Sequence, residues 1–190
     1  PPPAKRFAER QGRLRLLVLG GSQGALVLNQ RVPQALALLR ESELPKVWHQ
    51  AGGQLHQAAE AAYRDAGITA RLTPFIEDIA EAYGWADLVV CRAGALTIAE
   101  LAVAGVGALL VPFPFAVDDH QTANAHFLAQ GGAALLVQQA ELNAERLAAI
   151  LRDLLGDRTQ LLRMAEAARS LAKIEAAEQV ARVCLDQARS

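Results

Sequence analysis

The chain has 190 residues, 52% of them hydrophobic and 21% charged, which excludes a disordered or fibrous protein and allows a full hydrophobic core. Its 19 Lys plus Arg against 20 Asp plus Glu leave a net charge of -1, so no basic excess exists to drive nucleic-acid binding by counterion release. The two cysteines, Cys91 and Cys184, are far apart, which argues against a disulfide framework or a cysteine zinc site and fits a reducing compartment.

The chain opens Pro1-Pro2-Pro3 with no charged-then-apolar leader, and residues 1–12 read as the remainder of an extended linker. Leu14 to Leu19 is a short apolar run ended by Gly20-Gly21, the pattern of a buried parallel strand. A helix follows over Ala25 to Leu39, with Pro33 bending or restarting it. Lys46 to Gln50 predicts a second strand, stopped by Gly52-Gly53, and Leu55 to Ala66 a helix closed by Gly67. Ile68 to Leu72 predicts the third strand, Ile76 to Tyr83 a short helix, and Leu88 to Cys91 the fourth strand. Leu96 to Ala104 predicts a helix closed by Gly105, and Ala108 to Val111 a fifth strand. After a long loop, Pro112 to His120, come a helix over Gln121 to Gln130 and a sixth strand over Ala133 to Val137. Three helices end the chain: one capped by Asn143 and running to Leu155, one from Asp157 to about Leu171, and one over Ile174 to Ala188.

Alternating strands and helices imply an α/β fold, a Rossmann-like parallel sheet of about six strands with right-handed crossovers and C-terminal helices. Such sheets bind ligands beyond the C-terminal ends of their strands. The longest apolar stretch, Ala99 to Phe115, is broken by Gly105, Gly107, Pro112 and Pro114, so no membrane-spanning segment is expected.

Three loops at those strand ends carry the chemistry. Gly20-Gly21-Ser22-Gln23-Gly24 offers positive φ, backbone N–H groups and a helix N-terminus to an anion, or is only a tight strand-to-helix turn. It matches neither the dinucleotide fingerprint nor a Walker loop. Cys91-Arg92-Ala93-Gly94-Ala95-Leu96-Thr97 again joins a strand to a helix, with the N–H groups of Ala95, Leu96 and Thr97 free for a diphosphate. Glu100, three residues after Thr97, suits two vicinal ribose hydroxyls, or merely offsets the helix dipole. In the third loop His120, Gln121 and Asn124 can both donate to and accept from sugar hydroxyls, while Asp118 or Asp119 reads as an N-cap. Thr73-Pro74-Phe75-Ile76 offers backbone to a base edge and Phe75 as apolar cover, or simply packs in the core. Motifs of metalloprotease, serine-hydrolase or CxxC type are absent, and His49, His56, His120 and His126 show no ligand spacing. No third carboxylate stands near Asp118 and Asp119, so leaving-group stabilisation without a metal is expected.

These motifs form an ordered series with Trp48-His49-Gln50, Ala86-Asp87, Ala104-Gly105, Val111-Pro112-Phe113, Asn124-Ala125 and Arg169-Ser170-Leu171-Ala172. As a set the chain closely resembles the C-terminal half of the MurG family of bacterial N-acetylglucosaminyltransferases, over nearly its whole length. The resemblance implies one half of a GT-B enzyme that holds UDP-GlcNAc and passes its sugar, with inversion, to a lipid-linked muramyl-pentapeptide acceptor. It divides the chain into the linker remainder at 1–12, a donor-binding domain over 13–171, and a helix over 172–190 that crosses to the other half. It implies a donor set of Gly21, Ser22, Gln23, Gly24, Phe75, Ile76, Arg92, Gly94, Ala95, Leu96, Thr97, Glu100, His120, Gln121 and Asn124. Within it, backbone at Ile76 reads uracil, Glu100 takes the ribose hydroxyls and Gln121 contacts the sugar. The family has a glutamine where His120 stands, and commonly a proline where Gly107 stands, a change read as loosening a turn. The general base, acceptor site and membrane-docking patch are implied for the N-terminal half, on the cytoplasmic face of the inner membrane, with no metal or cofactor. The alternatives are the donor domain of another UDP-sugar enzyme, such as a glycolipid glycosyltransferase or a UDP-GlcNAc 2-epimerase, or a non-catalytic nucleotide-binding module.

Overall fold

The computed structural model describes residues 1–21 and 23–173. The helix expected over Ile174 to Ala188, Ser22 and Cys184 therefore lie outside the described residues. The elements in chain order are α1 (Pro3–Ala8), β1 (Arg15–Leu19), α2 (Leu26–Ala37), β2 (Lys46–Gln50), α3 (His56–Asp65), β3 (Arg71–Thr73) and α4 (Ile79–Trp85), followed by β4 (Leu88–Cys91), α5 (Ala95–Ala104), β5 (Gly107–Leu110), α6 (His120–Gln130), β6 (Ala134–Leu136), α7 (Ala144–Gly156) and α8 (Arg158–Ser170).

Six strands form one sheet in the order β3-β2-β1-β4-β5-β6. All five pairings are parallel. Both faces are covered, which is why the central strands read as unbroken apolar runs. Alternation along each strand assigns residues to the two faces. Leu16 and Val18 of β1 join one core, packed with Leu28 and Leu36 of α2 and Leu147, Leu151 and Leu154 of α7. Leu17 and Leu19 join the other, with Val89 of β4, Ile98 and Leu101 of α5 and Leu128 of α6.

Four local readings change. The extended reading of residues 1–12 fails over residues 3–8: Pro3 starts α1, where a missing N–H costs nothing. Arg6 of α1 donates to the carbonyls of Ala104 and Gly105, and Arg10 reaches the Asp87 carboxylate and the carbonyl oxygens of Gly84 and Ala86. These bonds hold the segment on the domain. The third strand begins at Arg71 rather than Ile68 because a Schellman cap takes that residue: Ile68 N donates to Tyr63 O and Gly67 N to Arg64 O. The next helix begins at Ile79 rather than Ile76, because Asp78 caps it by accepting from Glu81 N at 2.8 Å. Gly107 lies in β5 rather than in a turn, and a Cβ there would stand 2.9 Å from Met164 Cβ. The glycine lets α8 pass close beneath the strand.

The Asn143 and Asp157 caps form as expected, accepting from Arg146 N at 2.8 Å and Gln160 N at 2.9 Å. Helix α2 runs through Pro33, losing only the bond that residue would have made.

Candidate donor-binding site at the strand reversal

From β1 the chain winds outward through β2 and β3, then returns to β4 on the opposite side. The reversal therefore falls between β1 and β4, where an open parallel sheet leaves a crevice at its C-terminal edge. Helix α2 leaves β1 toward one face and α5 leaves β4 toward the other. Their N-termini flank that crevice. Helices α4, α7 and α8 cap themselves with Asp78, Asn143 and Asp157, whereas α1, α2, α3, α5 and α6 have no side-chain cap; of these, α2 and α5, with Ala25 and Gly94 at the N-cap, are the two that flank the crevice. The first intrahelical bonds are Asn29 N to Ala25 O and Ile98 N to Gly94 O. The N–H groups ahead of them point out of the helices, and their dipoles favour an anion between the two ends.

The glycine loop is shaped by close backbone contact. Gly21 and Gly24 have φ of 78° and 79°, and Gly24 N closes a turn on Gly21 O at 3.0 Å. A Cβ on Gly24 would fall 2.2 Å from the carbonyl oxygen of Ala51, and one on Gly52 would fall 2.3 Å from Gly24 N. The loops after β1 and β2 thus touch backbone to backbone. Asn29, buried in α2, braces the junction by donating to Ala51 O at 3.0 Å. Gln23 is exposed at the tip.

In the second loop, Ala95 and Leu96 are exposed at the start of α5 while Gly94 and Thr97 are half-buried beside them. Arg92 is turned away toward β5. It donates to Val111 O at 3.1 Å, Pro112 O at 3.0 Å and Gln139 Oε1 at 2.7 Å, and burial lowers its pKa. Glu100 is half-buried and accepts from the Tyr83 hydroxyl at 3.0 Å. Both residues face a groove of about 600 Å³ that runs along α4 and α5 to Pro1–Pro3 and Arg169.

The third loop is fastened to the second. Gln121 Oε1 accepts from Ala93 N at 3.2 Å and from Phe113 N at 3.0 Å, and Asn124 Nδ2 donates to Ala93 O at 3.1 Å. Ala93, buried just ahead of the α5 tip, therefore has both backbone groups gripped by α6. This leaves Gln121 with its Nε2 donor, rather than its carbonyl, to offer a sugar. His120 is exposed on the first turn of α6. Asp119 occupies the N-cap position without the expected capping bond, because its backbone is left-handed (φ 50°) and its carboxylate accepts from Thr122 Oγ1 instead. Asp118 shares that conformation, and Phe113 and Phe115 stand exposed edge to face. Phe75 is exposed after β3, whereas the buried Ile76 side chain anchors the backbone between them in the core.

The structure thus gathers the glycine loop, the α5 tip and the first turn of α6 along adjacent strand ends. It adds residues that sequence reasoning missed: Tyr83 on Glu100, Asn29 on Ala51, and Gln139 on Arg92. Only Gly52-Gly53 gave a local signal, and it reads there as a strand stop.

Residues 15–180 match the model of the glycosyltransferase family 28 C-terminal domain. A relative from Marinobacter nauticus is 58% identical over 98% of this chain and 51% of its own length. One from Azoarcus sp. is 60% identical over 96% of this chain and 51% of its own. Both are named UDP-N-acetylglucosamine--N-acetylmuramyl-(pentapeptide) pyrophosphoryl-undecaprenol N-acetylglucosamine transferase. The crystal structure of Acinetobacter baumannii MurG superposes with a TM-score of 0.89 at 45% identity, covering 96% of this chain and 52% of that one. The chain spans about half the length of the curated relatives it matches. With the matched residues taking in every strand and the strand reversal, the chain belongs to the glycosyltransferase family 28 C-terminal domain family.

Proposed function

We propose that this chain is the donor-binding half of an inverting N-acetylglucosaminyltransferase, holding UDP-GlcNAc for transfer to an undecaprenyl-pyrophosphoryl muramyl-pentapeptide. The observation that carries the reading is the pair of uncapped helix N-termini, α2 and α5, facing one crevice with Glu100 one turn behind the second. A nucleoside diphosphate sugar suits this arrangement: diphosphate between the helix ends, ribose hydroxyls on the carboxylate, base toward Phe75 and Ile76, sugar toward Gln121 and His120. The names of the relatives at 58–60% identity supply the donor and acceptor chemistry.

The mechanism follows from where charge develops. As the acceptor hydroxyl attacks the anomeric carbon, the C–O bond to the β-phosphate breaks and negative charge grows on that phosphate. The N–H groups of Ala95, Leu96 and Thr97 are fixed before the reaction begins, because α6 holds Ala93. Fixed donors stabilise developing charge without reorganising. Gly94 lacks a side chain, so the phosphate can approach the backbone closely. Deprotonating the acceptor needs a general base. We assign that base, with the acceptor site and attachment to the cytoplasmic membrane face, to the other half of the parent enzyme, as the resemblance to the family implies. Among the described residues no helix is long and apolar enough to cross a membrane.

Calorimetric titration of the 190-residue chain tests the reading. UDP and UDP-GlcNAc are expected to bind, UDP-glucose more weakly, and NAD not at all. Absence of a preference for UDP ligands overturns it. Transfer to lipid acceptor by this chain alone overturns the assignment of the base to the other half.

A further inference from the structure

We propose that Tyr83 is a positioning residue for nucleotide recognition: its hydroxyl holds the Glu100 carboxylate in the orientation that accepts a ribose diol. The inference rests on the reading of Glu100 as the ribose acceptor. Tyr83 lies in the last turn of α4 and Glu100 in the second turn of α5, two helices packed side by side. The phenol is 3% exposed and donates to Glu100 Oε2 at 3.0 Å. No other hydrogen bond to the carboxylate is present among the described residues.

A glutamate at a half-exposed helix position samples several rotamers, and each must be lost when a ligand is bound. A buried donor on one oxygen removes that freedom beforehand. An ionised carboxylate only accepts, and it has lone pairs beyond those one phenol engages. Oε1 and the rest of Oε2 are therefore left for hydroxyl donors from a ligand. Burial raises the Tyr83 pKa, with Cys91 and Glu100 adding to the effect, so the phenol keeps its proton and remains the donor. The chemistry selects a vicinal diol at this point in the site. A pentose without its 2′ and 3′ hydroxyls offers the carboxylate nothing to accept and leaves it desolvated.

The test compares UDP with 2′,3′-dideoxy-UDP by calorimetry on the full 190-residue chain. The readout is the ratio of their dissociation constants. Tyr83→Phe keeps the ring and its packing, and is expected to lower the preference for the ribose ligand about tenfold, the size of one charged hydrogen bond. Glu100→Asp keeps the charge but withdraws the carboxylate from Tyr83 and from the ribose together, and is expected to lower it further. Glu100→Ala is expected to abolish the preference. An unchanged ratio in Tyr83→Phe, with the preference lost in Glu100→Ala, overturns the role of Tyr83 alone. An unchanged ratio in Glu100→Ala overturns the ribose reading beneath it. A purely structural Tyr83 lowers the melting temperature without moving the ratio. Should Tyr83→Phe fold poorly, Tyr83→Met, which also removes the hydroxyl and leaves Glu100 in place, gives the same discrimination.

Discussion

The side-chain carbonyl of Gln121 accepts the backbone N–H of Ala93 at 3.2 Å and so joins the first turn of α6 to the loop that starts α5. A residue proposed to meet the sugar is thereby also a structural clip, and the proposed role would use a different atom from the clip. Gln121→Glu keeps an acceptor for Ala93 and Phe113 but removes the amide donor. It is expected to melt close to the parent chain while losing the preference for UDP-GlcNAc over UDP. Gln121→Ala removes both and should also lower stability by about 1–3 kcal/mol, since two backbone N–H groups lose their acceptor. Calorimetry paired with thermal melting separates the atoms. Equal melting of the two variants would contradict the clip.

Gly24 should tolerate no side chain. Its φ of 79° and the carbonyl of Ala51, 2.2 Å from a Cβ built there, act against alanine together. Gly24→Ala is expected to cost about 2–4 kcal/mol and to weaken UDP binding as the loop shifts. Gly84→Ala is the control. That glycine sits in α4 with nothing within 4 Å of its Cβ position, and alanine there should stabilise by up to about 1 kcal/mol. Urea unfolding measures both.

Arg10 and Asp87 form an ion pair whose side chains are 12% and 2% exposed. Asp87 Oδ2 also accepts from Arg15 N at 2.9 Å, at the start of β1. Arg10→Ala leaves a buried carboxylate without its cation and should cost about 3–5 kcal/mol. Lys5→Ala breaks only an exposed pair with Glu9 at 3.8 Å and should stay within about 0.5 kcal/mol. Chemical denaturation of the two variants decides whether residues 1–12 belong to the folded unit.

His49 makes stability depend on pH. It is buried in β2, shares a 2.9 Å hydrogen bond with the Tyr63 hydroxyl, and has no partner for Nε2 among the described residues. Burial pushes its pKa from 6.5 down to about 3. Between those values the unfolded chain binds the proton and the folded chain does not. The contribution to stability is therefore complete above pH 6.5 and is lost progressively as pH falls toward 3. The melting temperature should decline on acidification from pH 7.5 to 4.5 (about the range calorimetry covers comfortably). His49→Gln, which retains a hydrogen-bonding group without titrating, should flatten that decline. An unchanged slope would assign it to other groups.

The order of strands and helices was legible because strands buried on both faces must be apolar throughout, and glycines at their ends mark the turns. Leu88 to Cys91 needs no partner to be recognised. The first helix was not legible, because its stabilisation is remote: Arg6 reaches Ala104, 98 residues away, and Arg10 reaches Asp87, 77 away. No local window contains those partners, and three prolines alone read as extended chain. The candidate site was legible only as a set of loops at adjacent strand ends. The residue types of Gln121 and Asn124 suit a sugar and a peptide group equally. Only the approach of Ala93, 28 and 31 residues earlier in the chain, shows that they grip the backbone. Tyr83, 17 residues before Glu100, was hidden in the same way.

The contact between Gly24 and Gly52 makes two loops inherit each other's shape. An engineer who exchanges the glycine loop for one from another protein of this family must carry the turn after β2 with it. A graft of residues 20–24 alone would meet a partner cut to a different outline. The glycine loop is therefore best transplanted together with the turn after β2 and Asn29, since the three segments fit only as a set.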